Sequence, residues 1–283
     1  VVRFLLFLSP ESRIQLVTFN GSARLFADIR DPFARNYFLI GGFDLEFFSI
    51  AKPFLLDGGV FFDVGANFGF CSFGLIECLG RRDVEYHLFE ANKGICDLLF
   101  LSAKLYPGQT IWINYCCVAD CPGVSKLNIS PDNFGASFIS EKGTQEVENL
   151  ILDDYIYDRS IKKINLLKVD VEGWEARVLR GAMNGLTSGI VDAAYIEVST
   201  ENLSRAGFSV EECFTLLREA GFYLFYVREK DFESGIADKR KAFNLYIHGC
   251  PITVAELDGF PTDHITDILA IHRSSNLLGG WRD

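Results

Sequence analysis

Between residues 60 and 227 short apolar runs alternate with helix-length amphipathic segments, and no other feature restricts the fold of this chain as strongly. Parallel strands can be joined only by a long crossover, so this alternation reads as successive βαβ units around a parallel sheet. Strands are expected at 60–64, 84–89, 110–118, 164–171, 190–198 and 222–227, with helices over 68–79 and from Lys93 onward. Ile95, Leu98, Leu99, Ser102 and Leu105 share a face of the second helix, and Trp174, Val178, Leu179, Ala182 and Leu186 share one of a later helix. Ser209 and Glu212 have the spacing of a capping box, and Gly221 closes the helix they open. After residue 118, where another crossover helix is due, a Gly-, Ser- and Asn-rich stretch runs to Gly143 and reads as an inserted hairpin or loop. A further strand at 243–247, reached through a short non-helical connection, brings the strands to seven. The expected architecture is α/β: an open, mostly parallel seven-stranded sheet of Rossmann-like type with one antiparallel strand.

The flanks differ from this core. Alternating apolar and polar residues on either side of Asn20-Gly21 predict a β-hairpin over 13–29, and a helix is expected over 44–54 after an aromatic stretch that ends at Gly41-Gly42. The organisation is thus read as an N-terminal hairpin and helix extension (1–55), a ligand-binding domain (56–250) and a C-terminal helical tail (251–283). In that tail His264 and His272 read as surface positions.

Composition excludes some functions. With 27 Lys+Arg against 38 Asp+Glu the formal net charge is −11, opposite in sign to what binding a phosphate backbone requires, so no nucleic-acid partner is expected. No apolar run approaches the roughly 18–20 residues of a membrane helix, and a soluble, cytoplasmic protein is expected. The eight cysteines, several inside apolar periodic segments, read as reduced thiols.

The chemistry concentrates at two strand ends. Asp63 ends the first strand, and the chain turns into a helix through Gly65, Ala66, Asn67 and Gly69, with Ser72 just inside it. Glycines there let the backbone approach a ligand, and a helix N-terminus offers N–H groups to an anion. Glu90, followed by Ala91, ends the next strand, where a carboxylate can accept the ribose hydroxyls of an adenosine cofactor. The third glycine of a dinucleotide fingerprint is missing, and Asp63 suits an ammonium better than a pyrophosphate. Both points favour S-adenosylmethionine over NAD. At the end of the strand over 164–171, Asp170 is the candidate general base and Glu172 its helper; with Glu197 they are also a candidate divalent-metal set. Cys117 and Val118 are expected to flank the adenine, and the insertion over 121–148 to cover the substrate. His87 reads as a packed strand residue, and His248 as facing away from the site if its strand is the antiparallel one.

The ordered motifs Asp-Val-Gly-Ala-Asn-Phe-Gly (63–69), Phe-Glu-Ala-Asn (89–92), Leu-Asp-Asp-Tyr (152–155), Leu-Lys-Val-Asp-Val-Glu-Gly-Trp-Glu (167–175), Val-Leu-Arg-Gly-Ala (178–182) and Ile-Glu-Val (196–198) resemble the FkbM family of S-adenosylmethionine-dependent methyltransferases. The resemblance runs from about residue 45 to 227 and departs from the family pattern at Ala91, where Pro is usual. It implies the class I methyltransferase fold and O-methylation of a sugar or natural-product hydroxyl. Two alternatives stand beside this: a non-catalytic cofactor- or glycan-binding relative, and an NAD-dependent oxidoreductase. The acceptor, its regiochemistry and the oligomeric state are not fixed by the sequence.

Overall fold

The computed structural model describes residues 13–278. Strands β1 (Ile14–Phe19) and β2 (Ala23–Asp28) form the expected hairpin, with Asn20 and Gly21 both at positive φ in its turn. Asp31 then caps a helix that the sequence reading missed, α1 (Pro32–Ile40), by accepting from the amides of Phe33 and Ala34. The signal was present: an acid N-cap, proline at the first helical position and Gly41 in left-handed backbone at the end. Asp44 caps α2 (Leu45–Ala51), which continues as a 3-10 turn over Lys52–Leu55.

The parallel sheet starts with β3 (Gly59–Val64), α3 (Phe70–Leu79), β4 (Val84–Glu90), α4 (Lys93–Ala103) and β5 (Thr110–Tyr115). The strand expected over 110–118 divides at Cys116. Beyond it β6 (Cys117–Val118) leaves the central sheet and joins β7 (Val124–Asn128), β8 (Phe138–Ile139) and β9 (Gln145–Leu150) in a small sheet, which is the insertion. The chain returns through α5 (Leu152–Asp158) to β10 (Leu166–Val169), parallel to β3. Next come α6 (Glu175–Gly181), α7 (Met183–Thr187), β11 (Ala193–Ser199), α8 (Thr200–Arg205), α9 (Val210–Glu219) and β12 (Phe222–Tyr226). Ser209 caps α9 through the Glu212 amide, but the Glu212 side chain pairs with Arg180 instead of returning to close a capping box.

The C-terminal part corrects the sequence reading. After α10 (Glu229–Glu233) come β13 (Phe243–Ile247), β14 (Cys250–Glu256) and β15 (Ile265–His272), so strands stand where a helical tail was expected. The central sheet has nine strands in the order β13-β14-β12-β15-β11-β10-β3-β4-β5. The antiparallel strand among the core seven is β15, inserted between β11 and β12, rather than 243–247. Ile268–Ile271 (sequence Ile-Leu-Ala-Ile) is buried without a break, as a strand covered on both faces must be; a run this short fits helical and strand periods alike, and only its two flanking strands decide. His272 is accordingly buried, with Nε2 on the Ala220 carbonyl (3.1 Å), and His264 Nε2 lies 2.8 Å from the fully buried Asp231.

Two apolar clusters cover the two sheet faces. Neighbours on one strand divide between them: Phe61 packs with Tyr86, Tyr195 and the N-terminal extension, whereas Phe62 packs with Phe89, Tyr155 and Leu167. The extension is tied to this domain by Tyr106, whose hydroxyl bonds both backbone groups of Arg24 at 2.7 Å, and by Ser102 Oγ, which accepts from the Phe26 amide. Among the described residues no helix is long and apolar enough to cross a membrane.

Candidate active site

At the C-terminal ends of β3, β4 and β10 lies a cleft of about 660 Å³ including its open mouth. Open α/β sheets bind ligands at this position. Gly65, Asn67, Glu90, Ala91, Cys117, Val118, Asp170 and Glu172 line it, so eight of the residues proposed from sequence meet around one space.

The turn after β3 is held from below. The amides of Gly65 and Ala66 both donate to the Phe89 carbonyl at 3.0 Å, and the Asn67 amide donates to Glu90 Oε2 at 2.8 Å. These amides are therefore engaged within the protein, contrary to the expectation of a free anion cradle. Gly65 is required at φ 79° because a side chain there would meet the Asp170 carbonyl oxygen at 1.8 Å. Glu90 is clamped from both sides, since its Oε1 accepts from the Asn92 amide at 2.7 Å. Each oxygen retains a lone pair for a further donor. Burial pushes the Glu90 carboxyl up to about 7, against the pull of these backbone amides. Asn67 Oδ1 is buried without a hydrogen-bond partner at the cavity wall.

Asp63 departs from its expected role. It is fully buried, does not line the cleft, and holds an ammonium supplied by the protein: Lys168 Nζ lies 3.6 Å from Oδ1, and Ser72 Oγ donates to Oδ2 at 2.6 Å. Burial raises the Asp63 carboxyl, partly offset by Lys168. Ala66, Gly69 and Ser72 likewise lie behind the wall rather than on it. Lys168, a lysine inside the otherwise apolar strand Leu166–Val169, is the sequence signal for a charged group with a buried partner. Its Nζ also donates to Asp170 Oδ2 at 3.1 Å, and the two carboxylates outweigh the effect of burial to hold the ammonium well above its ordinary range.

On the far side of Lys168 the carboxylates crowd. Oxygens of Asp170, Glu172 and Glu197 lie within 4.8 Å of one another. In the register of the sheet Glu197 faces Asp267 of β15. Repulsion from Asp170, then burial, pushes Glu197 up to about 9; burial and the Asp170 charge push Glu172 up to about 7, and burial raises Asp267 to about 6. Glu172 sits at φ 54° and is fixed by Asn202, whose Nδ2 donates to Oε2 at 2.6 Å. Arg228 balances the outer edge, 3.0 Å from Asp44, 3.1 Å from Glu46 and 3.5 Å from Asp267. Neither Asn202, Arg228 nor Asp267 was singled out in the sequence, because each reaches the site from an element far away in the chain.

The insertion roofs the cleft with Phe134, Gly135, Ser137, Phe138 and Ile139. The Phe134 amide donates to Asp31 Oδ2 at 2.8 Å, so the residue that caps α1 also fastens the roof to the N-terminal extension. Gln145 of β9 donates to the Ala91 carbonyl at 2.6 Å. The histidines stay outside: His87 is buried on Tyr155 (2.8 Å) and pushed down to about 4 by burial, and His248 pairs with Asp57. His248 follows β13, which runs in the direction of the parallel strands; its place at the far sheet edge, not an antiparallel course, separates it from the cleft.

The hexuronic acid methyltransferase AglP of Haloferax volcanii is 27% identical over 161 residues, which is 57% of this chain and 62% of that protein. The chain therefore spans less than two thirds of that relative. Among solved structures, the methyltransferase FkbM of Methylobacillus flagellatus is similar at 14% identity, over 76% of this chain and 44% of that one, with a TM-score of 0.45. A precorrin-6y C5,15-methyltransferase of Geobacter metallireducens is similar at 9% identity, over 83% of this chain and 90% of that one, with a TM-score of 0.42. The family model of the FkbM methyltransferase domain matches residues 63–224, more than half of the chain, from Asp63 at the end of β3 into β12. The chain belongs to the FkbM methyltransferase family.

Proposed function

We propose that the protein transfers a methyl group from S-adenosylmethionine to a hydroxyl of a sugar-type acceptor. The observation that carries the cofactor half is Glu90: a carboxylate clamped by two backbone amides at the cleft wall, with a lone pair on each oxygen left for a ribose diol. The unpartnered Asn67 Oδ1 fits a donor on the amino-acid end of the cofactor, and Cys117 and Val118 fit the adenine edge. Bound S-adenosylmethionine supplies an electrophilic methyl on a sulfonium. The protein must then hold an acceptor oxygen in line about 3 Å from that carbon and take its proton. Asp170, at the cleft wall and oriented by Lys168, accepts that proton in this reading, with Glu172 as a neighbouring carboxyl near 7 that takes or returns a proton at neutral pH. The sugar acceptor is supported by the name of the Haloferax relative.

A second reading of the carboxylates is favoured by their spacing. Three hard oxygen donors within 4.8 Å fit a magnesium- or manganese-type cation, which Asp170, Glu172 and Glu197 would hold and which would acidify the acceptor hydroxyl. Activity abolished by a chelator and restored by Mg²⁺ supports the metal; activity indifferent to chelation supports the proton-acceptor role.

Calorimetric titration with S-adenosylmethionine, S-adenosylhomocysteine and NADH tests the cofactor. Binding of the two adenosyl ligands alone, weakened about 10- to 100-fold in Glu90→Ala, is the expected result. Tight NADH binding returns the oxidoreductase reading, and adenosyl binding without transfer to any hydroxyl acceptor returns the non-catalytic one.

A further inference from the structure

Beside Asn67, a second residue of the cleft wall carries a buried polar atom without a partner. Trp174 lines the cleft, and its indole Nε1 is buried with no hydrogen-bond partner among the described residues. An indole N–H can only donate, and a buried donor left unpaired costs more than a typical hydrogen bond returns. Such a donor beside a ligand cavity points to an acceptor that the ligand brings. The ring is fixed from behind: Trp174 holds the N-cap position of α6, Phe208 meets it edge-on with centroids 6.0 Å apart, and the Arg177 guanidinium carbon lies 5.4 Å from its centre. Arg177 in turn pairs with Asp120 at 2.6 Å, and a side chain at Gly181 of α6 would meet the Ala119 carbonyl oxygen at 2.1 Å. Trp174 thus stands on a helix packed against the end of β6, whose Cys117 and Val118 line the same cleft.

We infer that Trp174 Nε1 donates to a ring nitrogen of the cofactor's adenine. The inference rests on the methyl-transfer reading above and deepens its cofactor half. S-adenosylmethionine brings few acceptors to this wall. Its ribose diol faces Glu90 as a donor, its amino-acid end faces Asn67, and the exocyclic amino group of its base is itself a donor. The ring nitrogens N1, N3 and N7 each keep a lone pair, and a base against Cys117 and Val118 lies on the side of the cleft where Trp174 stands. Cys117 and Val118 alone offer contact that any flat ring satisfies. A directed donor instead distinguishes a nitrogen from a C–H at one position of the ring, so the cleft reads the base as well as enclosing it.

The test titrates the wild-type protein and Trp174→Phe with S-adenosylhomocysteine and with its monodeaza analogues, each of which replaces one ring nitrogen (N1, N3 or N7) by C–H. In the wild type one analogue is expected to bind about 3- to 10-fold more weakly than the others, the size of one neutral hydrogen bond. Trp174→Phe keeps an aromatic ring without the N–H. There S-adenosylhomocysteine should weaken by about the same factor, and the difference among the analogues should vanish. A second readout needs no substitution: the indole N–H resonances of the 3 tryptophans, followed by heteronuclear magnetic resonance in the wild type. S-adenosylhomocysteine is expected to move one of them downfield, and the weak analogue to leave it near its free position. Analogues that bind the wild type alike, or a difference that survives in Trp174→Phe, would overturn the donor role and leave the methyl-transfer reading standing. Failure of S-adenosylhomocysteine to bind the wild type removes the methyl-transfer reading and the donor with it.

Discussion

The two ends of the cleft are built in opposite ways. The end at Glu90 comes from two neighbouring strand termini within residues 63–92, its geometry set by backbone amides closing on one carboxylate. The end at Asp170 draws on Asp31, Phe134, Asp170, Glu172, Glu197 and Asp267, from five separate parts of the fold, and its character is set by like charges forced together. At the first end two backbone amides meet the carboxylate from either side, and burial pushes it up to about 7. At the second, repulsion from Asp170 pushes Glu197 up to about 9, and burial pushes Glu172 up to about 7. The difference is between a locally encoded clamp and a remotely assembled cluster of carboxylates.

The comparison can be broken most severely at Lys168, which lies 3.6 Å from Asp63 and donates to Asp170. Lys168→Met leaves Asp63 fully buried with only Ser72 as partner, and a loss of about 3–5 kcal/mol in a denaturant titration is expected. Adding Asp63→Asn should recover part of that loss; no recovery would mean that Lys168 matters through packing and not through charge. Asp170→Asn separates the two ends: turnover is expected to fall about 100-fold or more while the affinity for S-adenosylhomocysteine stays within about threefold. Unchanged turnover would remove Asp170 from the chemistry.

Asp31→Ala probes the roof from the outside. It removes the cap of α1 and the acceptor for the Phe134 amide together, so stability should fall by about 1–2 kcal/mol and S-adenosylhomocysteine should bind about 3- to 10-fold more weakly. A stability loss with unchanged affinity would confine Asp31 to the helix. The smallest effect belongs to Glu197→Gln. A carboxyl raised from 4.5 to about 9 binds a proton in the folded state that the unfolded chain has released, so its contribution is fully present below about pH 4.5 and is lost as pH rises toward 9. The variant should melt like the wild type near pH 5 and a few degrees higher near pH 8.5, by scanning calorimetry across that range. Equal melting at both pH values would show that Glu197 is not protonated in the fold.

The sequence by itself determined what is written in contiguous residues. The βαβ order, the Asn20-Gly21 hairpin, the Gly65–Gly69 turn, the Glu90 strand end and the insertion after residue 118 all depend on local periodicity, turn chemistry and backbone freedom, which a short window contains. Tertiary structure alone decided the rest. It made Ile265–His272 a strand, because two flanking strands offered their edges to an apolar run that fits either period. It turned Asp63 from a ligand-facing acid into the buried partner of Lys168, because the register of β3 and β10 sets those two residues side by side. It also brought Asp31 to the roof, a role carried by a contact between residues about a hundred positions apart, which no local pattern encodes.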